Sequence, residues 1–224
     1  MDFAKNWNKD FVENKIKDKI FEFVYGCALH DAILRLAFKG EKNWIYQVNG
    51  AKNELKKYID IIIFEHGFSS QKAHDDAFLI AAKNICDAVN EYSDKPSDVK
   101  TIFSFGNAQK LINMTVKHFY ALCYMNLALR ENFKYCHCPM DGIMLQWVWE
   151  NYMNFEKQNK INRQEELGKA FCEPWGNETV QNNDFPNRYK KFQEIIRKWA
   201  AKEGYSPIEF DYIIWKSKSL RGKG

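Results

Sequence analysis

The chain has 224 residues and a mass of 26.5 kDa, the size of one ordinary domain, and its 46% hydrophobic and 16% aromatic content is ample for a packed interior. Charged residues at 28% exclude a disordered chain, and 11 Gly with 5 Pro are too few for a loop-rich β-sandwich or a fibre. No stretch approaches the roughly 18 apolar residues that cross a bilayer, and the opening MDFAKNWNKDFVENK mixes both charge signs, so neither a membrane span nor a signal peptide is expected.

Helical periodicity runs nearly throughout. A first segment extends from about Asp10 to Phe38, with Gly26 as a point of interruption and Lys39-Gly40 as its C-cap. A second covers about Ala51 to Glu65 and stops at His66-Gly67. Ser69 or Ser70 caps a third, which continues to about Tyr92 with Ala, Ile and Phe on one face. The stretch from Ser93 to Asn107, SDKPSDVKTIFSFGN, reads as a loop. A long helix follows from about Ala108 to Leu129, and Pro139 and Asp141 open another that reaches about Phe155. The charged run from Lys157 to Glu166 is its solvated continuation or a loop. CEPWGNETVQNNDFPN reads as a second loop, and Pro186 precedes a helix reaching Lys202. Ser206-Pro207, with Glu209 and Asp211 behind it, starts the last helix. Nothing repeats and no strand alternates, so the expected fold is all-α, a single globular unit over residues 1–224.

The six cysteines, Cys27, Cys86, Cys123, Cys136, Cys138 and Cys172, are scattered through apolar helical contexts. There a free thiol behaves as a small hydrophobe, and a disulfide framework is not expected. Cys136-His137-Cys138 has no second pair at zinc spacing, so no metal is expected. The formal net charge is +4, but residues 188–224 carry ten Lys and Arg against Glu194, Glu203, Glu209 and Asp211. That basic end, interleaved with Tyr189, Phe192, Trp199, Tyr205 and Trp215, suits a phosphate backbone. Its bland reading is a solvated helix face.

Two segments carry candidate chemistry. Between Lys110 and Arg130 the only formal charge is Lys117. Lys110, Asn113 or Met114, Lys117 and Tyr124 share one helix face by spacing. Desolvation leaves more of a lysine as the neutral, nucleophilic amine, and a neighbouring cation pushes the same way; the alternative is snorkelling stems with solvated ammonium groups. From Phe133 to Trp149 the only acid is Asp141, two residues after a proline at a helix start. It is either a plain N-cap or a carboxylate kept ionised by backbone amides.

In the order glycine turn, KLINMTVKHFYA (Lys110 to Ala121), then Pro139-Met140-Asp141, the chain resembles the helix-hairpin-helix superfamily of DNA glycosylases, and most of all the archaeal 8-oxoguanine glycosylases. The likeness covers about 40 residues, from Phe103 to Trp147. It implies a two-lobed helical bundle with its catalytic core at about 93–156, and the N-terminal and basic C-terminal helices as a second lobe. It implies Lys110 as Schiff-base nucleophile and Asp141, 31 residues on, as the essential carboxylate. Gln109, Asn113 and Lys117 become support, Trp44, Phe105, Trp175 and Trp215 candidates for stacking on a flipped base, and Gly106, Asn107, Lys216 and Lys218 candidates for the DNA backbone. The usual two-glycine hairpin is represented by Gly106 alone, and no Cys follows Cys172, so no iron–sulfur cluster or other cofactor is expected. The implied protein is a cytoplasmic monomer acting on DNA with a damaged base or, as in related phage-defence proteins, a heavily modified one. Two other readings stand beside it: a helical ribonuclease using Arg130 and His137, with Asn132 between them, and a non-enzymatic module that binds nucleic acid or protein.

Overall fold

The computed structural model describes residues 14–32, 44–92, 103–159 and 185–221, and among these the 3.6-residue period resolves into eight α-helices. They are α1 (Asn14–Ala32), α2 (Trp44–Phe64), α3 (Gln71–Asn90), α4 (Phe105–Cys123), α5 (Leu127–Glu131), α6 (Gly142–Asn159), α7 (Phe185–Lys202) and α8 (Pro207–Arg221). The described residues contain no strand, so the fold is all-α. No described helix is long and apolar enough to cross a membrane.

Several helices begin where a short polar side chain takes an orphan amide. Ser70 accepts from Ala73 N at 3.1 Å for α3, Ser104 from Asn107 N at 3.3 Å for α4, and Asn126 from Leu129 N at 3.2 Å for α5. At α8, Ser206 and Glu209 form a reciprocal box: Ser206 N donates to Glu209 Oε2 at 2.9 Å and Glu209 N to Ser206 Oγ at 3.5 Å.

The boundaries differ from expectation at informative places. α1 runs through Gly26 without interruption. α2 starts at Trp44, so Gly50 is helical; a Cβ there would come within 3.0 Å of Ala88 O, and the glycine lets α2 and α3 approach. α4 begins at Phe105, which puts the expected hairpin residues Phe105, Gly106 and Asn107 in its first turn. The long helix also ends early: a turn follows Cys123 and α5 is a separate short helix. The expected stop at Lys39-Gly40, most of both predicted loops and Trp175 lie outside the described residues.

α4 is the axis, with α1 and α3 packed along it and α2 against α3. Thirteen of its 19 residues are buried, which leaves Lys110, Met114 and His118 as a partly open strip at four-residue spacing. Tyr25 ties α1 to α2 by donating to Val48 O at 2.7 Å. Phe78, Phe103, Phe133, Tyr189 and Phe192 are fully buried, each stabilising the core by about 1.5–3 kcal/mol. Trp147 of α6 meets Trp199 of α7 and Phe210 of α8 edge-on at 5.5 and 5.1 Å, closing the C-terminal helices onto the rest.

Candidate functional site

The open strip of α4 forms one wall of a cleft of about 510 Å³, lined by His30, Lys110, Met114, Lys117, His118, Asp141 and Trp215. Three elements supply the sequence-predicted residues: Lys110 and Lys117 come from α4, Asp141 precedes α6, and Trp215 lies on α8. Asp141 is the N-cap of α6, its Oδ1 accepting from Ile143 N at 3.0 Å and Met144 N at 2.9 Å. His30 and His118 also line a neighbouring groove of about 610 Å³ with Glu22, Phe23, Gly26 and Cys27, so the open surface continues along α1 and α4.

The two lysines differ. The Lys117 ammonium lies 2.5 Å from Asp211 Oδ2 and over the rings of Tyr212 and Trp215 at 4.7 and 5.1 Å. Asp211 is fully buried; burial pushes its carboxyl up to about 6 against the pull of Lys117, and nearby Asp141 adds to the rise. Asp211 is thus an interior partner of Lys117. Lys110 is half-buried and, of the pair, is the one with no carboxylate beside it among the described residues.

Behind Asp141 the chain crosses the interior as the buried segment Cys136–Met140, which has no regular secondary structure. Buried backbone groups need partners, and two glutamines supply them. Gln109 Nε2 donates to Met140 O at 3.0 Å while its Oε1 accepts from Met140 N at 3.2 Å. Gln193 treats Cys138 the same way, at 2.9 and 3.3 Å. Asn113 donates to Gln109 Oε1 at 3.1 Å and to Tyr189 OH at 2.8 Å. Gln109 and Asn113, both 1% exposed, face away from the cleft and hold its framework.

The network continues to residues the sequence reading did not group. Tyr189 OH meets His137 Nδ1 at 2.9 Å, and His137 Nε2 meets Asp75 Oδ1 at 2.7 Å. His74 lies 3.3 Å from the same oxygen and bonds Tyr58 OH at 2.7 Å. Burial alone would raise the Asp75 carboxyl, but hydrogen bonds from His137, His74 and Gln71 outweigh it and hold it far below the usual range. Burial, with His74 alongside, lowers the His137 imidazole to about 3 against the pull of Asp75. The ligand atoms of His74, Asp75 and His137 lie within 4.8 Å of one another. The set does not fit a metal ion, because Asp75 Oδ1 already accepts from Gln71 at 2.7 Å and the Arg197 guanidinium stands 3.3–3.4 Å from His137 Nε2 and Asp75. Cys136 and Cys138 are buried thiols pushed well up by desolvation, unlike thiolate ligands.

His137 lies outside any helix, with both ring nitrogens engaged in the interior. Arg130 instead lies over the Tyr124 ring at 5.5 Å, and among the described residues it makes no hydrogen bond or ion pair with His137. Phe105 is 4% exposed and packs edge-on against Tyr189 at 5.7 Å, a core ring with no free face for a base. Gly106 is buried, and Asn107 N is taken by Ser104. Trp215 and Lys216 are exposed on α8. Trp44 and Lys218 lie on α2 and α8, their side chains outside the described residues. The signal for the missed residues was polar character on apolar faces: His74 at helical spacing from Phe78 and Ala81, and Asp211 within IEFDYIIW. Compared with protein-family models, curated proteins and solved structures, the chain finds no match.

Proposed function

We propose that the chain is a DNA glycosylase that takes a damaged or modified base into the cleft between α1, α4, α6 and α8 and breaks its N-glycosidic bond. One observation carries this reading: Lys110 and Asp141, 31 residues apart in sequence, line one cleft in which the other lysine is already paired with Asp211. Trp215 at the rim offers a stacking face, and the neighbouring groove along α1 shares His30 and His118 with the cleft, so strand flanking a flipped nucleotide has an open surface beside it.

The chemistry follows from the parts. Once its proton has passed to solvent, the Lys110 amine attacks C1′ with its lone pair, and the C1′–N bond pair leaves with the base, which takes a proton from solvent. Positive charge that builds on the sugar is stabilised by the Asp141 carboxylate. The bound amine then loses a proton and the sugar ring opens to an imine. The setting is base-excision repair or defence against phage DNA with modified bases.

Borohydride trapping tests this on DNA carrying 8-oxoguanine, uracil, hydroxymethylcytosine or its glucosylated form. The expected result is a covalent adduct that Lys110→Ala abolishes. Asp141→Asn, which keeps the helix cap, slows release by at least about a hundredfold, since roughly 3 kcal/mol of transition-state stabilisation goes with the charge. Free base without an adduct would assign the attack to water beside Asp141. Neither product from any of these DNAs refutes the reading.

A further inference from the structure

Gln109 immediately precedes Lys110, and Met140 immediately precedes Asp141. The two preceding residues are joined by a bidentate clamp, the Gln109 amide bonding both backbone groups of Met140 at 3.0 and 3.2 Å. We infer that this clamp is the positioning device of the site: it sets the Lys110 amine against the Asp141 carboxylate, with Asn113, Tyr189, His137 and Asp75 locking its orientation from behind. The inference rests on the glycosylase reading above.

The donors and acceptors of the chain admit one arrangement. His137 Nε2 lies 2.7 Å from the Asp75 carboxylate and 3.3 Å from the Arg197 guanidinium; the shorter contact, to an acceptor only, places the proton on Nε2 and makes Nδ1 an acceptor. Tyr189 OH therefore donates to Nδ1 and accepts from Asn113 Nδ2. The second hydrogen of that Asn113 amide goes to Gln109 Oε1, which leaves Gln109 Nε2 facing Met140 O. A flipped Gln109 would place an oxygen against Met140 O and hydrogens against Met140 N and Asn113. Every member from His137 to Gln109 is at most 2% exposed, so water does not substitute for a lost partner. A stabilising core needs none of these polar groups; apolar packing of the same volume would serve it as well. What polar pairing adds here is one register between α4 and the segment that ends at Asp141.

Gln109→Met removes the clamp at nearly constant volume, and Gln109→Glu preserves it only while the buried carboxyl is protonated, which burial favours. The assay is single-turnover borohydride trapping on an abasic-site duplex, which any Schiff-base-forming lysine serves whatever base it excises. Base release from the reactive DNA of the panel, affinity for a duplex with a tetrahydrofuran abasic analogue, and the melting temperature are measured alongside. For Gln109→Met we expect trapping and release to fall by about a hundredfold, the typical cost of a misplacement near 1 Å, with affinity for the analogue within twofold of wild type. For Gln109→Glu we expect near-wild-type rates in mildly acidic buffer and a decline as pH rises that the wild type lacks. Wild-type rates in Gln109→Met, or rates falling only in step with affinity and folded fraction, overturn the positioning role while leaving the glycosylase intact. A wild-type chain that neither traps nor releases base overturns both.

Discussion

Acid should unfold this protein through His137, and the size of the effect follows from its surroundings. In an unfolded chain the imidazole takes up a proton near 6.5; in the folded protein it does so only near 3. Between those limits the unfolded state binds one more proton, so stability present above pH 6.5 is lost as the pH falls. Each pH unit removes about 1.4 kcal/mol, so acidification from 6.5 to 4 removes about 3 kcal/mol through this one group. That is a large part of the roughly 5–15 kcal/mol typical of a domain. The groups facing His137 are His74, Asp75, Tyr189 and Arg197. His74 is lowered too, chiefly by burial, and steepens the same limb. Asp75, held low by its partners, adds its own loss only in stronger acid. Urea unfolding at half-unit steps from pH 7.5 to 4 measures the slope in wild type and in His137→Gln, which retains a donor for Asp75. The variant should be less stable at pH 7 and lose stability more gently below 6.5, by about one proton's slope. Parallel slopes in the two proteins would show that His137 is not kept neutral by folding.

The Lys117–Asp211 pair should behave as a coupled unit. Lys117→Met or Asp211→Leu alone strands a buried charge and costs about 3–5 kcal/mol, whereas the double substitution should recover most of that in a denaturation cycle; additive losses would refute the coupling. Two glycines should respond with opposite signs. Gly67 has φ +75 and a Cβ there would lie 2.8 Å from Asn132 O, so Gly67→Ala should cost about 2 kcal/mol or more. Gly26 sits within α1 with nothing within 4 Å of an added Cβ, so Gly26→Ala should stabilise by about 0.5–1 kcal/mol. Melting curves of the two variants settle both signs.

Local rules made much of the fold legible. The Ser70 cap, the stop at His66-Gly67, the start at Ser206-Pro207 and the apolar face of α3 depend on neighbours within four residues, and all appear where the sequence places them. Gly26 misled as a point of interruption because a glycine in a helix costs only about 1 kcal/mol, which α1 absorbs; at Gly50, α2 recovers the same cost by packing closely on Ala88. The charge pattern likewise singled out Lys110, Lys117 and Asp141, since ionisable groups in apolar segments are rare enough to be visible one chain at a time.

Their partners were not visible. Asp211 meets Lys117 across 94 positions, and His137 meets Asp75 across 62; no local period encodes contacts between surfaces that exist only after folding. The sequence by itself determined that the chain is helical, where α3, α6, α7 and α8 begin, and which charges are out of place. Only the packing of α3, α4, α7 and α8 decided which lysine is neutralised, that Phe105 and His137 belong to the interior, and that one glutamine amide joins the residues before Lys110 and Asp141. Helix formation is a matter of hydrogen bonds four residues apart, whereas burial and charge pairing depend on what distant segments bring to the same place.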